Sequence, residues 1–226
     1  IQIKPETDAA LGLAAAQVMI TENLIKKDYV VEQTDMPFLV RKDNQRFLRA
    51  ADMVKGGADN ALYVWDEAKN APVIAPGCEG DGEGGRSLKL NGIKPALSGS
   101  FKVTTVDGKS VEVHTVFDML RAKLDKEYTP ELASKITGIN PNVIRTFARE
   151  MAAAPNAMIY CSWGACKHHH SDLYQRAMAL LMTFTGNQGK AGSGVRVAAW
   201  WGIDGMEAMT AGLFGTMDKV KLIPKA

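Results

Sequence analysis

Apolar positions along the chain fall into alternating strand-like and helical spacings. Ile1 to Lys4 alternates as a strand does and is closed by Pro5. Thr7 or Asp8 stands where it can cap a helix through Ala9-Ala10-Leu11 to about Thr21. Leu11, Leu13, Val18, Met19 and Ile20 leave that helix almost no polar face, which predicts burial on all sides. A short helix is expected from Asp28 to Gln33. Met36 to Val40 has strand composition, and Pro37 confines it to an edge or a strand start. Leu62 to Trp65 and Val73-Ile74 predict a hairpin across Lys69-Asn70, and the glycine-dense tract Gly77 to Gly85 predicts a loop. The clearest hairpin joins Phe101–Val106 to Ser110–His114, because Asp107-Gly108 is a strong tight-turn signal between β-branched runs. Helical spacing follows over Thr115–Leu124. Two further helices run from Thr129-Pro130 to Ile136 and from Pro141 to Ala154, separated by Gly138. Ala157 to Cys161 is a short apolar strand. The last helix spans about Ser171 to Thr185, with Leu173, Ala177, Leu180, Leu181 and Phe184 as its core-facing stripe.

This alternation reads as an α/β protein with a small antiparallel insertion. The expected division is 1–59 and 115–194 as parts of one α/β unit, 60–114 as a hairpin-rich insertion, and 195–226 as a linker segment. The 226 residues can bury a core. A formal net charge of +2 is too small to argue for nucleic acid or an anionic membrane. The helix pair at Thr129–Ala154 offers only Arg145 and Arg149 on its second member, which excludes a DNA-reading face. Cys78, Cys161 and Cys166 show no C-x-x-C spacing, against a disulfide framework or zinc knuckle. No apolar run approaches the ~20 residues of a spanning helix. The chain opens on Ile1-Gln2-Ile3 with neither an initiator methionine nor a visible export signal, and is expected to be an internal piece of a longer polypeptide.

The densest chemistry lies in Ser162–Gly194, where a tryptophan, a cysteine, a lysine and His168-His169-His170 precede a helix ending in a glycine-rich loop. Consecutive histidines diverge on either a strand or a helix, so three cannot easily share one metal. Cys166, His168 and His170 would converge only on an extended segment; that is the basis of one alternative, a non-redox metal-binding or docking module. The bland reading is a solvated turn with one buried histidine. Position raises the interest of the segment, since it follows a strand end where α/β folds place ligands. Gly186 to Gly194 follows a helix instead of opening one and lacks the Walker lysine-serine/threonine pair, so it is not a dinucleotide fingerprint. A helix cap and turn is its ordinary role. A nucleotide-binding enzyme, the third reading, suffers from that missing fingerprint.

Three motifs in order carry a resemblance to a known family. Ser162-Trp163-Gly164, His168–His170, Arg176-Ala177, Leu181 and Thr185-Gly186-Asn187-Gln188-Gly189 through Gly194 resemble the molybdopterin oxidoreductases of the dimethyl sulfoxide reductase family. Lys4-Pro5-Glu6-Thr7-Asp8-Ala9-Ala10-Leu11 looks like that family's Pro-Gly-Thr-Asp-x-Ala-Leu loop, with Glu6 in place of the glycine. Tyr29-Val30, Thr34 to Arg41 and Leu48 to Asp52 resemble its type II branch, which holds nitrate, selenate and chlorate reductases and ethylbenzene dehydrogenase. The resemblance covers nearly the whole chain.

It implies a Rossmann-like cofactor-binding domain and a molybdenum bis(pyranopterin guanine dinucleotide) cofactor. The protein ligand to the metal and the iron–sulfur cysteines would lie upstream, with no metal ligand in this chain. Implied cofactor-binding residues are Thr7, Asp8, Ser162, Trp163, Gly164, Lys167, His168, Gly186, Asn187, Gln188 and Gly189. Asp8 is implied to accept from guanine N–H groups, a charge-assisted contact, although it could simply cap its helix. Lys167 to His170 and Trp200-Trp201-Gly202-Ile203-Asp204 look most like the hydrocarbon dehydrogenases, which hydroxylate a C–H bond with water. On that reading Trp200 and Trp201 wall the substrate pocket, and Lys167, His170 or Asp204 supplies the catalytic proton relay. The alternative within the family is an oxyanion (nitrate, selenate or chlorate) reductase. Iron–sulfur and haem partner subunits are implied, with a periplasmic location, or a cytoplasmic one as in the branch's nitrate reductases.

Overall fold

One helix occupies the centre of the molecule. In a computed structural model that describes residues 1–76, 90–161, 164, 167, 168 and 171–197, α1 (Asp8–Thr21) is packed by α4 (Val116–Glu127), α5 (Pro130–Thr137), α6 (Pro141–Ala153) and α7 (Ser171–Phe184). Ala14, Ala15, Ala16, Val18 and Met19 are all buried, as a helix apolar on every side demands. Small residues let the neighbours approach closely. A Cβ on Gly12 would stand 3.2 Å from Ala177 Cβ and 2.8 Å from Met178 Cε.

The surrounding helices begin where local chemistry starts them. Thr115 accepts from the Asp118 amide at 3.2 Å, Thr129 from Leu132 at 3.3 Å, and Asn140 from Asn142 at 2.9 Å. Each satisfies an orphan N–H of a first turn. Pro130 and Pro141 open α5 and α6, and Gly138 closes α5 at φ 78°. The short α2 (Lys27–Gln33) and the single turn α3 (Ala50–Met53) complete the helices described.

The described strands form three small sheets. β1 (Leu39–Arg41), β5 (Ser110–Thr115) and β4 (Ser100–Thr104) lie antiparallel in the order β1-β5-β4, so the segment after Pro37 does take an edge. β2 (Tyr63–Asp66) and β3 (Ala71–Ile74) make the expected hairpin. Isolated bridges Phe38–Val64 and Arg49–Leu62 join these strands across position 60. The β-rich core therefore draws on residues from Phe38 onward. It gathers Leu39, Leu48 and Val113, with Trp65 stacked on Phe101 at 4.2 Å between ring centroids.

β6 (Met158–Cys161) and β7 (Gly194–Val197) are parallel, Met158 opposite Gly194 and Cys161 opposite Val197. With α7 as the crossover they form a βαβ unit. The sequence did not announce β7. Two other expectations change. Ile1–Lys4 forms no strand; the Lys4 amide instead donates to the Thr137 carbonyl at 3.0 Å, pinning the segment to the end of α5. Leu173 is 47% exposed, and α7 buries Tyr174, Ala177, Met178, Leu181, Met182 and Phe184. No helix among the described residues is long and apolar enough to cross a membrane.

Candidate functional site

Two helix N-termini meet at one end of the parallel pair. α1 and α7 run side by side in the same direction, as contacts at two levels show. Gly12 lies against Ala177 and Met178, and beyond the C-terminus of α1 the Lys26 amide donates to the Phe184 carbonyl at 2.7 Å. One turn back from the first contact, Asp8 reaches the level of Tyr174. As the crossover, α7 starts beyond the C-terminal end of β6, where Cys161 is the last strand residue. The positive ends of both helices therefore face the strand-end crevice in which α/β sheets bind ligands.

The first turn of α1 is arranged so that its acid stays unspent. Thr7 holds the N-cap position, but its hydroxyl donates to the Lys4 carbonyl at 2.7 Å and no side chain caps the helix. Among the described residues the half-buried Asp8 carboxylate takes no hydrogen bond or ion pair. Glu6, which stands where the family motif has glycine, has φ 69°. Glu6 thus holds a left-handed backbone that favours glycine, at a cost in strain of about 1 kcal/mol.

Beneath this turn lies a pair that sequence reasoning missed. The phenol of Tyr174 is 6% exposed and the thiol of Cys161 1% exposed. Burial, this thiol and the nearby Asp8 charge all push the phenol's pKa up, so it stays protonated. No sequence signal marked either residue, since a tyrosine in an amphipathic helix and a cysteine ending an apolar strand both read as core.

Between β6 and α7, the Lys167 amide donates to the Gly164 carbonyl at 3.2 Å, and the Ser171 amide to the His168 carbonyl at 3.3 Å. Gly164 and Lys167 are exposed and His168 is half-buried. Ser162, Trp163, Cys166, His170, Trp200, Trp201 and Asp204 lie outside the described residues. No group of three metal-ligating side chains occurs among the described residues.

The glycine-rich loop is at the other end of α7. Fourteen residues separate the two ends, about 21 Å at the α-helical rise. Gly186, Asn187, Gln188 and Gly189 are therefore not brought together with Asp8, Lys167 and His168. Asn187, 1% exposed, uses its side chain internally: Oδ1 accepts from the Ala157 amide at 3.2 Å, and Nδ2 donates to Thr185 Oγ1 at 2.9 Å. Gln188 Oε1 accepts from the Val195 amide at 3.2 Å. Ser193 Oγ donates to the Asn187 carbonyl at 3.1 Å. Gly186 and Gly189 adopt φ 65° and 81°. These residues turn α7 into β7, and the Asn187 side chain makes its hydrogen bonds within that turn.

Grooves elsewhere are lined by described residues, two of them larger than the rest of those described. One of about 870 Å³ lies on the β-rich side between Phe47, Arg49 and Leu120. One of about 630 Å³ lies beside Lys26, Tyr29 and Gly186. Neither includes Asp8 or Lys167. The convergence at Asp8 is the better fit to the implied cofactor. An unspent carboxylate matches the adjacent N–H donors of a guanine edge, and two helix N-termini suit phosphate groups.

No protein-family model matches the chain. It is similar to the perchlorate reductase subunit alpha of Dechloromonas aromatica, 42% identical over 212 residues that make up 86% of this chain and 23% of that protein. It is also similar to the chlorate reductase subunit alpha of Ideonella dechloratans, 35% identical over 91% of this chain and 22% of the relative. The dimethylsulfide dehydrogenase subunit alpha of Rhodovulum sulfidophilum is 36% identical over 84% and 20%. The chain thus spans less than a quarter of the length of these relatives.

Proposed function

Because this chain belongs to the dimethyl sulfoxide reductase family of molybdopterin oxidoreductases, we propose that it is a cofactor-binding part of the catalytic subunit of an oxyanion reductase. The observation that carries this is the convergence of the α1 and α7 N-termini, with Asp8 unspent, at the C-terminal end of a parallel strand pair. The relatives' names support an oxyanion or sulfur-compound substrate, and the expectation of hydrocarbon hydroxylation gives way to that reading. β6–α7–β7 is the part of the chain that suits a Rossmann-like domain.

When bound, the molybdenum bis(pyranopterin guanine dinucleotide) supplies oxygen-atom transfer coupled to two electrons. Asp8 accepts from the guanine N1–H and exocyclic N–H. The helix N-termini offset phosphate charge, each by about 0.3–1 kcal/mol. Lys167, a cation in the strand-end segment, attracts the anionic substrate or moves a proton at its Nζ. Iron–sulfur and haem subunits deliver the electrons, and the complex works in the periplasm.

The test uses the full-length polypeptide with its partner subunits, purified without air. Bound molybdenum and guanine nucleotide are measured first, then oxidation of reduced viologen by perchlorate, chlorate and nitrate. Lys167→Ala should lower turnover while the nucleotide stays bound. Hydrocarbon-dependent dye reduction without oxyanion activity would sink the substrate class. Absence of molybdenum and nucleotide would sink the cofactor assignment.

A further inference from the structure

β6 divides its side chains between two environments. Cys161 is buried in the cluster that α1 and α7 build, and Ile159 packs against the same cluster, as does Val195, its partner on β7. Met158 and Tyr160 alternate with them and point the other way. They stand 55% and 65% exposed, and among the described residues they are the two exposed large apolar side chains that share a strand. Their partners across the pair are Gly194, which adds no side chain, and Arg196, which is exposed. One face of the parallel pair is thus covered by helices, while the other offers a methionine and a tyrosine to solvent.

Parallel strands joined by helical crossovers are found with both faces covered. Here the crossover α7 covers one. Two strands of four residues each are also too little sheet to stand alone. The material for a second layer exists, because the relatives matched by this chain carry more than three quarters of their length outside the matched part.

We propose that the Met158–Tyr160 face of the β6–β7 pair is an internal interface of the full subunit, covered by the apolar side of a helix from polypeptide of the same subunit outside the described residues. Arg196, beside Tyr160, adds one requirement: that helix brings a carboxylate, or its own C-terminal carbonyls, to the guanidinium. The interface bears on the candidate site because Tyr160 immediately precedes Cys161, the last residue before the strand-end segment that carries Lys167. Fixing β6 from its outer face fixes where that segment leaves the sheet. The inference rests on the length of the relatives and the geometry of the pair, and stands or falls independently of the substrate class.

The experiment uses the full-length polypeptide with its partner subunits. Tyr160→benzoylphenylalanine places a photo-cross-linker on the face, and Met158→benzoylphenylalanine in a parallel variant gives a second probe should one substitution be poorly tolerated. Irradiation should join the probe to peptides of the same polypeptide outside residues 1–76, 90–161 and 171–197, with no gain in chain mass. Capture of a partner subunit or of a second copy would overturn the assigned occupant, and capture confined to the described residues would overturn the cover. In the unsubstituted assembly, peroxide should convert Met158 to its sulfoxide severalfold more slowly than in the unfolded polypeptide. Equal rates would show an open face and overturn the proposal without any variant.

Discussion

Replacing Asn187 by alanine separates a side chain that holds the fold from one that holds a cofactor. The amide joins three pieces of chain: the lead into β6 through Ala157, the end of α7 through Thr185, and its own loop. Truncation leaves the Ala157 amide without its 3.2 Å acceptor. Thr185 Oγ1 loses a donor but keeps its own donation to the Leu181 carbonyl at 3.0 Å. The dominant cost is one stranded, part-buried N–H, about 1–3 kcal/mol. The small void left by the amide adds to it. A loss of about 2 kcal/mol multiplies the local opening equilibrium about 30-fold. Global unfolding of a large cofactor protein is not two-state, so the assay should be local: hydrogen exchange of the full-length polypeptide, read on peptides covering 156–161 and 185–197. Both regions should exchange faster with cofactor bound and with cofactor removed, by similar factors. Asn187→Asp should do no better than alanine, because it puts a second acceptor where Nδ2 now donates. Unchanged exchange in the cofactor-free protein, with faster nucleotide loss in the loaded one, would refute the reasoning and return Asn187 to the ligand.

Three further outcomes follow from named contacts. Gly12→Ala should be close to neutral, because a helix-propensity gain of about 1 kcal/mol offsets a clash that Met178 can swing away from; Gly12→Val, against the fixed Cβ of Ala177, should cost about 1–3 kcal/mol and lower the yield of assembled subunit. Glu6→Gly should relieve the left-handed backbone at φ 69° and slow exchange around the start of α1, since about 1 kcal/mol of strain outweighs about 0.5 kcal/mol of added chain entropy. Glu22 takes a bidentate hydrogen bond from Arg149 at 2.7 and 2.8 Å, and this contact holds its carboxyl below the usual range. Its contribution is therefore present above the ordinary carboxylate pKa and is lost as pH falls through the lowered value, so Glu22→Gln should flatten the acid limb of an α1–α6 exchange profile; an unchanged limb would show the pair contributes nothing.

What this sequence settles by itself is whatever neighbours within about four residues decide. Thr129-Pro130 and Asn140-Pro141 start helices because their side chains reach the next free amides and the prolines need none. Asp107-Gly108 makes a tight turn with the glycine at φ 79° because that backbone suits it and little else. The apolar belt of α1 demands burial whatever covers it, and the ordered motifs name the family. Phase and partners were another matter. Leu173 and Tyr174 are adjacent candidates for one stripe of α7, and only the approach of α1 at Gly12 decides that Tyr174 turns inward. Gly194–Val197 is too short to announce a strand, and becomes one because β6 offers it a free edge. The glycine loop resembles a ligand cradle in sequence, and only the length of α7 sets it about 18 Å along that helix from the level of Asp8. The nearness of the first turns of α1 and α7, more than 150 residues apart in sequence, exists only because the two helices pack side by side. That choice is made by the burial of many side chains together, and no local window of sequence contains it.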